Sequence, residues 1–256
     1  MTQSYPFPAE LLPAVKRLWP RIDKVVTKRL HAMNELEPGE SALEGVDPVP
    51  PRGMTGSFGA VYYTRARGWV VKVTCDPTEG PAAQAIMDSD ILADHRGVVE
   101  IAGVWVSPET TIHRDSVELP FFVILREAVE PLDVSIELAD VLDLGEGPAP
   151  LQALWDVRIT ATWFNAAYSD FDQLYRKDQL NEELEKLEAF DEARHVADFM
   201  GLFLEVYGAA IADAHPGNIG VRPGSEDWVL FDVGHSGYTE GSPVPLLPNP
   251  LVISVM

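Results

Sequence analysis

Three polar residues between positions 213 and 232 have the types and the spacing of a phosphoryl-transfer site. Asp213 is followed five residues later by Asn218, and Asp232 lies fourteen residues beyond Asn218. An aspartate can accept the hydroxyl proton of a phosphate acceptor, and an asparagine with a second aspartate can hold the magnesium ion that bridges the phosphates of ATP. The spacing therefore predicts Asp213 as a catalytic residue and Asn218 and Asp232 as magnesium ligands. An ordinary Asp/Pro/Gly turn is the alternative for residues 213–218.

A glycine-rich run and a lysine nearer the N-terminus supply the complementary chemistry. Glycines let a turn approach phosphates closely and donate backbone N–H groups to them. Thirteen residues beyond the last glycine of the run, Lys72 lies in the apolar stretch Val-Val-Lys-Val, where its ammonium could neutralise the α- and β-phosphates. A solvent-facing lysine on an edge strand is the alternative. The predicted nucleotide-binding residues are Gly56, Ser57, Phe58, Gly59, Val61 and Lys72, and Lys72 is also counted as catalytic.

The carboxylate that pairs with Lys72 is harder to choose from the sequence. Glu79 lies seven residues beyond Lys72 and precedes Pro81, the predicted start of a helix, so we expect it to lie before that helix. Asp88 and Asp90 fall inside the predicted helix. We therefore expect Asp88 to be the partner of Lys72 and part of the nucleotide site, with a solvated helix face as the alternative for both aspartates.

Four short motifs, in the same chain order, resemble those of the protein kinase-like superfamily. Residues 54–61 (MTGSFGAV) resemble the glycine-rich loop, residues 70–73 (VVKV) the Val-Ala-Ile-Lys strand, and residues 230–234 (LFDVG) the Asp-Phe-Gly element. Residues 212–218 (ADAHPGN) are similar to the catalytic loop of atypical kinases, such as aminoglycoside phosphotransferases and ubiquinone-biosynthesis kinases. The resemblance implies ATP and magnesium as cofactors.

The chain also departs from this family pattern. Met54 stands where the family has its first glycine, Ile211 where it has a histidine, and Val233 where it has the phenylalanine of Asp-Phe-Gly. Only 22 residues follow Gly234, and they contain no Ala-Pro-Glu element. The resemblance therefore implies a reduced C-lobe and no activation loop of the usual kind.

The elements predicted around these motifs indicate an α+β protein with a bilobal protein kinase-like fold. An antiparallel sheet forms the N-lobe, and the C-lobe is reduced and mainly helical. Predicted strands cover a short segment before Gly56 and residues 60–64, 69–74, 98–107 and 119–126, and a hairpin covers 219–221 and 228–231. Predicted helices cover 81–95, 135–144, 151–168 and 181–207, and residues 8–35 form two helices or one that is kinked at Pro20. The predicted domains are an N-terminal helical extension and linker (1–52), the N-lobe (53–130) and the C-lobe with the catalytic loop (131–256).

The acidic composition restricts the partners of the chain. With 40 acidic and 19 basic residues, the formal net charge is −21. Such an excess disfavours nucleic acid and anionic membranes and suits a basic protein partner, although solubility alone is an alternative explanation. We expect no signal peptide or membrane span and a cytoplasmic location. The sequence leaves the oligomeric state open.

Taken together, these patterns predict an ATP- and magnesium-dependent phosphotransferase. The acidic charge favours a protein serine/threonine kinase acting on a basic protein substrate. One alternative is a small-molecule kinase of the aminoglycoside phosphotransferase-like type. Another is a non-catalytic acidic binding protein on a kinase scaffold.

Overall fold

The computed structural model describes residues 11–51, 54–56, 58–114, 117–132, 149–165 and 170–234. These residues divide into two units, one formed by 11–87 and 100–128 and the other by 88–99 and 129–234. The predictions for Ser57, for a helix at 135–144 and for the segment after Gly234 lie outside the described residues. The chain belongs to the α+β class, as the sequence predicts.

The first unit contains a four-stranded antiparallel sheet. Its strands are β1 (Gly59–Tyr63), β2 (Trp69–Thr74), β3 (Ile101–Arg114) and β4 (Val117–Glu127), in the order β1-β2-β4-β3. Strands predicted in these four regions are confirmed. Of the further strand that was predicted before Gly56, the structure describes residues 54–56, which form a single antiparallel bridge, between Thr55 and Ala60.

A single helix, α1 (Leu11–Ala32), covers one face of this sheet. It continues through Pro20, which is exposed, so water can bond the carbonyl group that proline leaves without its helical partner. The apolar residues of α1 recur at intervals of three and four and pack against alternate residues of the strands, since successive side chains of a strand point to opposite faces. The buried set includes Leu11, Val15, Leu18, Ile22 and Val26 from α1 and Tyr62, Val71, Val73, Val123 and Leu125 from the sheet.

Asp23 ties the segment after α1 back onto the helix. Its Oδ1 accepts hydrogen bonds from the Thr27 hydroxyl (3.1 Å) and from the Leu43 N–H (2.9 Å), and its Oδ2 accepts one from the Ser41 hydroxyl (2.5 Å). The Ala42 carbonyl in turn accepts a bond from the backbone of Arg65, between β1 and β2. The only acidic residue of α1 is therefore engaged in holding this connection.

The helix predicted at 81–95 is two helices. Helix α2 spans Glu79–Asp88, and the short α3 spans Asp90–Ala93. Ser89 begins α3 as its N-cap, where its hydroxyl accepts a bond from the Leu92 N–H, and serine is among the residues most favoured at that position.

The second unit is mainly helical and includes a small sheet. Its longer helices are α4 (Ala149–Asn165), α5 (Asp170–Glu188) and α6 (Arg194–Tyr207). Strands β5 (Glu130–Pro131), β6 (Ile219–Val221) and β7 (Trp228–Leu230) form an antiparallel sheet in that order, which confirms the predicted hairpin.

The helix predicted at 181–207 is also two helices, with the break at residues 189–193. Within this break the Glu192 carbonyl accepts a hydrogen bond from the Trp228 N–H at 3.0 Å. The backbone thus leaves the helix to bond a strand that is distant in sequence. None of the helices in the described ranges is long and apolar enough to cross a lipid bilayer.

Candidate functional site

The glycine-rich run forms a tight hairpin at the start of β1. The Gly56 N–H donates to the Gly59 carbonyl, and the Val61 N–H donates to the Met54 carbonyl, each at 2.9 Å. A Cβ atom at position 59 would overlap the carbonyl oxygen of Val73 on β2, so only glycine fits there. The close approach of β1 to β2 is therefore sufficient to explain the glycine at position 59, whether or not the hairpin binds a nucleotide.

Phe58 contributes to this hairpin mainly through packing. Its side chain lies against the core between α1 and the sheet, and its carbonyl accepts a hydrogen bond from the Cys75 N–H at 2.8 Å. Any contact of position 58 with a nucleotide is therefore expected to come from its backbone. Among the other predicted nucleotide-binding residues, Val61 lies beside Lys72 on the neighbouring strand, and the two side chains share one face of the sheet.

Lys72 forms an ion pair with Glu79. Its Nζ lies 2.5 Å from Glu79 Oε1, and the two side chains are only 11% and 3% exposed. Lys72 also pairs with Ile124 in the strand register, on the face of β2 opposite to α1. The ammonium and its carboxylate are thus held on the same side of the sheet as Val61.

The prediction that Asp88 is the partner of Lys72 is corrected by this contact. Glu79 does not precede the helix but is the first residue of α2, whereas Asp88 is its last residue and is exposed. Pro81 misled the prediction, because proline is tolerated throughout the first turn of a helix and does not mark its first residue.

A turn between β2 and α2 places Glu79. The buried Asp76 accepts hydrogen bonds on Oδ1 from the Thr78 N–H (2.8 Å) and the Thr78 hydroxyl (2.7 Å), and its own N–H donates to the Thr74 hydroxyl at 3.1 Å. This turn was not predicted, although Asp76-Pro-Thr78-Glu79 has the residue types of a helix start with an acidic first turn.

In the second unit, Asp213 and Asn218 are joined by hydrogen bonds. The Asn218 Nδ2 donates to the Asp213 carbonyl at 2.8 Å and to its Oδ2 at 3.1 Å. Because the NH₂ group is engaged with Asp213, the amide oxygen is the atom of Asn218 that is left for a cation. The predicted catalytic residue and one predicted metal ligand are therefore neighbours.

The β6–β7 hairpin brings Asp232 to the same end of the sheet as Asn218. Ile219 pairs with Leu230, and the Phe231 N–H donates to the Asn218 carbonyl at 2.9 Å. One residue further, Asp232 Oδ1 accepts a bond from the Gly234 N–H at 3.1 Å. The two predicted metal ligands thus flank the open end of one hairpin.

This donor set suits a magnesium ion that is bound together with a nucleotide. In such sites Mg²⁺ takes one or two carboxylates from the protein, and phosphates and waters complete its shell. Within the described part of the chain, no three His, Cys, Asp or Glu side chains are grouped to hold a metal by themselves. Asn218 and Asp232 therefore fit a metal that arrives with phosphate oxygens rather than an all-protein site.

Helix α4 supports the loop that carries Asp213. Arg158 Nη2 lies 3.2 Å from Asp213 Oδ1. At the end of the helix, Asn165 forms two hydrogen bonds with the backbone of Ala210, to its carbonyl at 2.8 Å and from its N–H at 3.2 Å. Ile211, two residues before Asp213, is buried in the core. Side chains of a helix that is distant in sequence thus add to the support that Asn218 gives Asp213 from its own loop.

Trp155 completes this support by packing against two charged or ionisable groups. Its ring stacks on the His215 ring with centroids 5.7 Å apart and planes 5° apart, and the guanidinium of Arg158 lies 5.1 Å from its centroid. Positions 155, 158 and 165 recur at helical intervals on one face of α4. The helix was predicted but its contact with the Asp213 loop was not, because periodicity alone does not identify the loop that a polar helix face contacts.

Comparison with protein-family models and with characterised proteins finds no match to this chain. Each unit carries one group of predicted site residues: the glycine hairpin and Lys72 in the first, where Glu79 takes the place predicted for Asp88, and Asp213, Asn218 and Asp232 in the second.

Substituting Glu79 and Asp88 in turn tests which carboxylate pairs with Lys72. We expect Glu79→Ala to lower the free energy of unfolding by about 3–5 kcal/mol, because it removes the carboxylate that faces a buried ammonium group. Urea denaturation measures this change. The matched control is Asp88→Ala, which should cost about 1 kcal/mol or less, because an exposed carboxylate contributes little even where it forms an ion pair. Equal destabilisation by the two variants would contradict the assignment.

Proposed function

We propose that this protein is an ATP- and magnesium-dependent phosphotransferase with a protein kinase-like, bilobal arrangement. The observation that carries the proposal is the grouping of Asp213, Asn218 and Asp232 around the open end of the β6–β7 hairpin. It supplies a carboxylate for the acceptor hydroxyl and two oxygen donors for a metal. The buried pair of Lys72 and Glu79 supports the same proposal from the first unit.

Each side chain has a defined role in this proposal. Asp213 orients the acceptor hydroxyl and accepts its proton, while Lys72, held by Glu79, neutralises the α- and β-phosphates. The oxygens of Asn218 and Asp232 hold the magnesium ion, which neutralises phosphate charge when bound. The glycine hairpin covers the phosphates, with the Gly56 and Val61 N–H groups holding the hairpin itself together. Phosphoryl transfer needs little more from the protein than such positioning and charge stabilisation.

The nucleotide-binding test uses aspartate-to-asparagine variants, which keep the size of the side chain. We expect magnesium to tighten ATP binding at least about tenfold relative to chelator, and Asp232→Asn to abolish that difference because it removes an anionic ligand. Isothermal titration measures both affinities. Asp213→Asn should bind ATP normally but transfer phosphate about 10²- to 10⁴-fold more slowly.

Asp227→Asn is the matched control, since Asp227 lies at the other end of the same hairpin, just before β7. It should keep both magnesium dependence and transfer. Equal ATP affinity in chelator and in magnesium for the unaltered protein would overturn the proposed metal role.

The acceptor that we propose is a serine or threonine in a basic protein segment. The net charge of −21 attracts such segments over a range of roughly 8 Å at physiological salt. The second candidate is a small-molecule acceptor, which the similarity of residues 212–218 to aminoglycoside phosphotransferases favours.

A salt series separates these two acceptors. Transfer of labelled phosphate to a basic protein at low substrate concentration should slow several-fold as salt is raised, because screening removes the attraction. Transfer to a neutral hydroxyl compound should change little, and it serves as the control. Salt-insensitive transfer that prefers the neutral compound would assign the small-molecule acceptor instead.

Arg158 is proposed as a positioning residue for Asp213. Arg158→Gln should lower kcat by about 10- to 100-fold, because a small displacement of a catalytic group has an effect of this size. The affinity for ATP should stay unchanged, and Arg158→Lys should restore part of the rate. Arg67→Gln, at an exposed position of the first unit, is the control. A parallel loss of ATP affinity and kcat would indicate a general structural role for Arg158 instead.

A further inference from the structure

We propose that His215 is a positioning residue for Asp213 and is held as the neutral tautomer that carries its proton on Nε2. In this state the Nε2–H group donates to Asp213 Oδ1, which leaves Oδ2 of the same carboxylate for the acceptor hydroxyl. The effect on phosphate transfer rests on the proposed function, whereas the tautomer and the contact with Asp213 do not. All the groups involved belong to the second unit.

The Nδ1 atom of His215 is a hydrogen-bond acceptor. The Gly217 N–H donates to it at 3.0 Å, at the start of the short 3₁₀ turn Pro216–Asn218. A ring nitrogen that accepts a hydrogen bond carries no proton, and in a neutral imidazole the other ring nitrogen is then the donor. The bond that one nitrogen of a histidine makes thus determines the state of the other. The contact with Gly217 therefore places the proton of His215 on Nε2.

Gly217 and Trp155 hold the imidazole ring of His215 in place. A Cβ atom at position 217 would lie 2.8 Å from Cε1 and 3.0 Å from Nδ1 of the ring, so a larger residue there would displace it. On its face the ring stacks on the buried Trp155, with centroids 5.7 Å apart and planes 5° apart. An imidazole that is held at one edge and on one face directs its remaining nitrogen at a fixed target.

That target is the carboxylate of Asp213. The Nε2 atom of His215 lies 3.7 Å from Asp213 Oδ1. This distance is roughly 0.5 Å beyond the usual range of an N–H···O bond. Hydrogen bonds of catalytic groups are often long before the substrate binds and shorten in the reacting complex. A small movement of the Asp213 loop is therefore sufficient to form the bond.

The two oxygens of Asp213 have different surroundings. Oδ1 faces His215 Nε2 and also Arg158 Nη2, at 3.2 Å, whereas Oδ2 accepts one bond, from Asn218 Nδ2 at 3.1 Å. Each carboxylate oxygen has about two lone-pair sites. Among the contacts of the described residues, Oδ1 therefore has both sites used and Oδ2 has one left.

This difference identifies Oδ2 as the oxygen that takes the proton. The acceptor oxygen forms its bond to the transferred phosphorus while the bond from that phosphorus to the ADP oxygen breaks. The hydroxyl proton of the acceptor passes to Asp213 Oδ2 in the same step. His215 and Arg158 keep Oδ1 turned away from the acceptor and so fix which oxygen reacts.

Two other roles for His215 lead to different expectations. A proton relay requires a ring nitrogen that can take the proton from Asp213, but Nε2 already carries one and Nδ1 is engaged by Gly217. A purely structural role would need only the bond to Gly217 and the stacking on Trp155. Asparagine and glutamine separate this role from the proposed one, because their amides reach the positions of Nδ1 and Nε2 respectively.

The kinetic test compares these two substitutions. His215→Asn keeps an acceptor near the position of Nδ1 and removes the donor at Nε2, so kcat should fall about 10- to 100-fold with KM for ATP unchanged. His215→Gln should restore part of the rate. Gly217→Ala keeps the histidine but displaces its ring, so it should also lower kcat. His195→Asn, at a partly exposed histidine of α6, is the matched control and should keep the full rate.

Nuclear magnetic resonance of the full chain, with ¹⁵N-labelled histidine, tests the proposal without nucleotide. At about pH 8 an ordinary histidine is neutral. Long-range ¹H–¹⁵N correlations should then show the proton on Nε2 for the signal that His215→Asn removes. Asp213→Asn should shift this Nε2–H resonance, and the control Asp227→Asn should leave it unchanged.

Four results would overturn the proposal. They are a proton on Nδ1, an Nε2–H resonance that does not respond to Asp213→Asn, a His215→Gln rate that does not exceed that of His215→Asn, and a parallel loss of ATP affinity and kcat in His215→Asn. The last two results would indicate a purely structural role.

Circular dichroism checks that each variant is folded. If His215→Asn does not fold, Gly217→Ala takes its place, and an unchanged kcat in that variant would overturn the proposal. If the unaltered chain transfers no phosphate, the proposed function fails, and the resonance measurements alone decide the tautomer of His215 and its bond to Asp213.

Discussion

A buried lysine needs a carboxylate, and this requirement organises the first unit. Every residue of β2 is buried, so both faces of the strand are covered. The alternation of a strand sends Val71 and Val73 towards α1 and Lys72 to the opposite side. Removing an ammonium group from water costs several kcal/mol unless an opposite charge compensates it, and Glu79 provides that charge at 2.5 Å. The turn at Asp76 and the start of α2 follow from the same requirement, because together they place Glu79 against Lys72.

In the second unit, polar side chains from several elements position the partly buried carboxylate of Asp213. Asp213 is 24% exposed, and three side chains approach it: Arg158 from α4, and His215 and Asn218 from its own loop. The hairpin register then fixes Asp232 relative to Asn218, because the bond between Phe231 and Asn218 continues the β6–β7 pairing. The polar groups are thus positioned by a helix and a hairpin, which are more rigid than an isolated loop.

Local patterns in the sequence were sufficient to predict β2 and the β6–β7 hairpin. The β6–β7 hairpin was predicted from two short apolar runs on either side of residues 222–227, and β2 as the partner of residues 60–64 across the connection 65–68. The proximity of Asn218 to Asp232 follows directly from that hairpin. The motif spacing therefore carried correct information about which residues of the second unit meet.

The errors arose where contacts between distant residues decide the structure. The break between α5 and α6 contains neither glycine nor proline, and its visible partner is Trp228, more than thirty residues away. The support of Asp213 by Arg158 spans 55 residues, and no periodic pattern reports it. The choice of Asp88 over Glu79 failed for a different reason, since proline was taken as the start of a helix in which it occupies the third position.

Charge in this protein acts on two length scales. The net charge of −21 acts on approaching molecules through the solvent, and salt reduces this effect beyond about 8 Å. The ion pair of Lys72 and Glu79 acts over 2.5 Å between side chains that are at most 11% exposed, so salt screens it much less. Raising the salt concentration should therefore weaken the attraction of a charged partner while leaving intact the ion pair that holds β2 and α2 together.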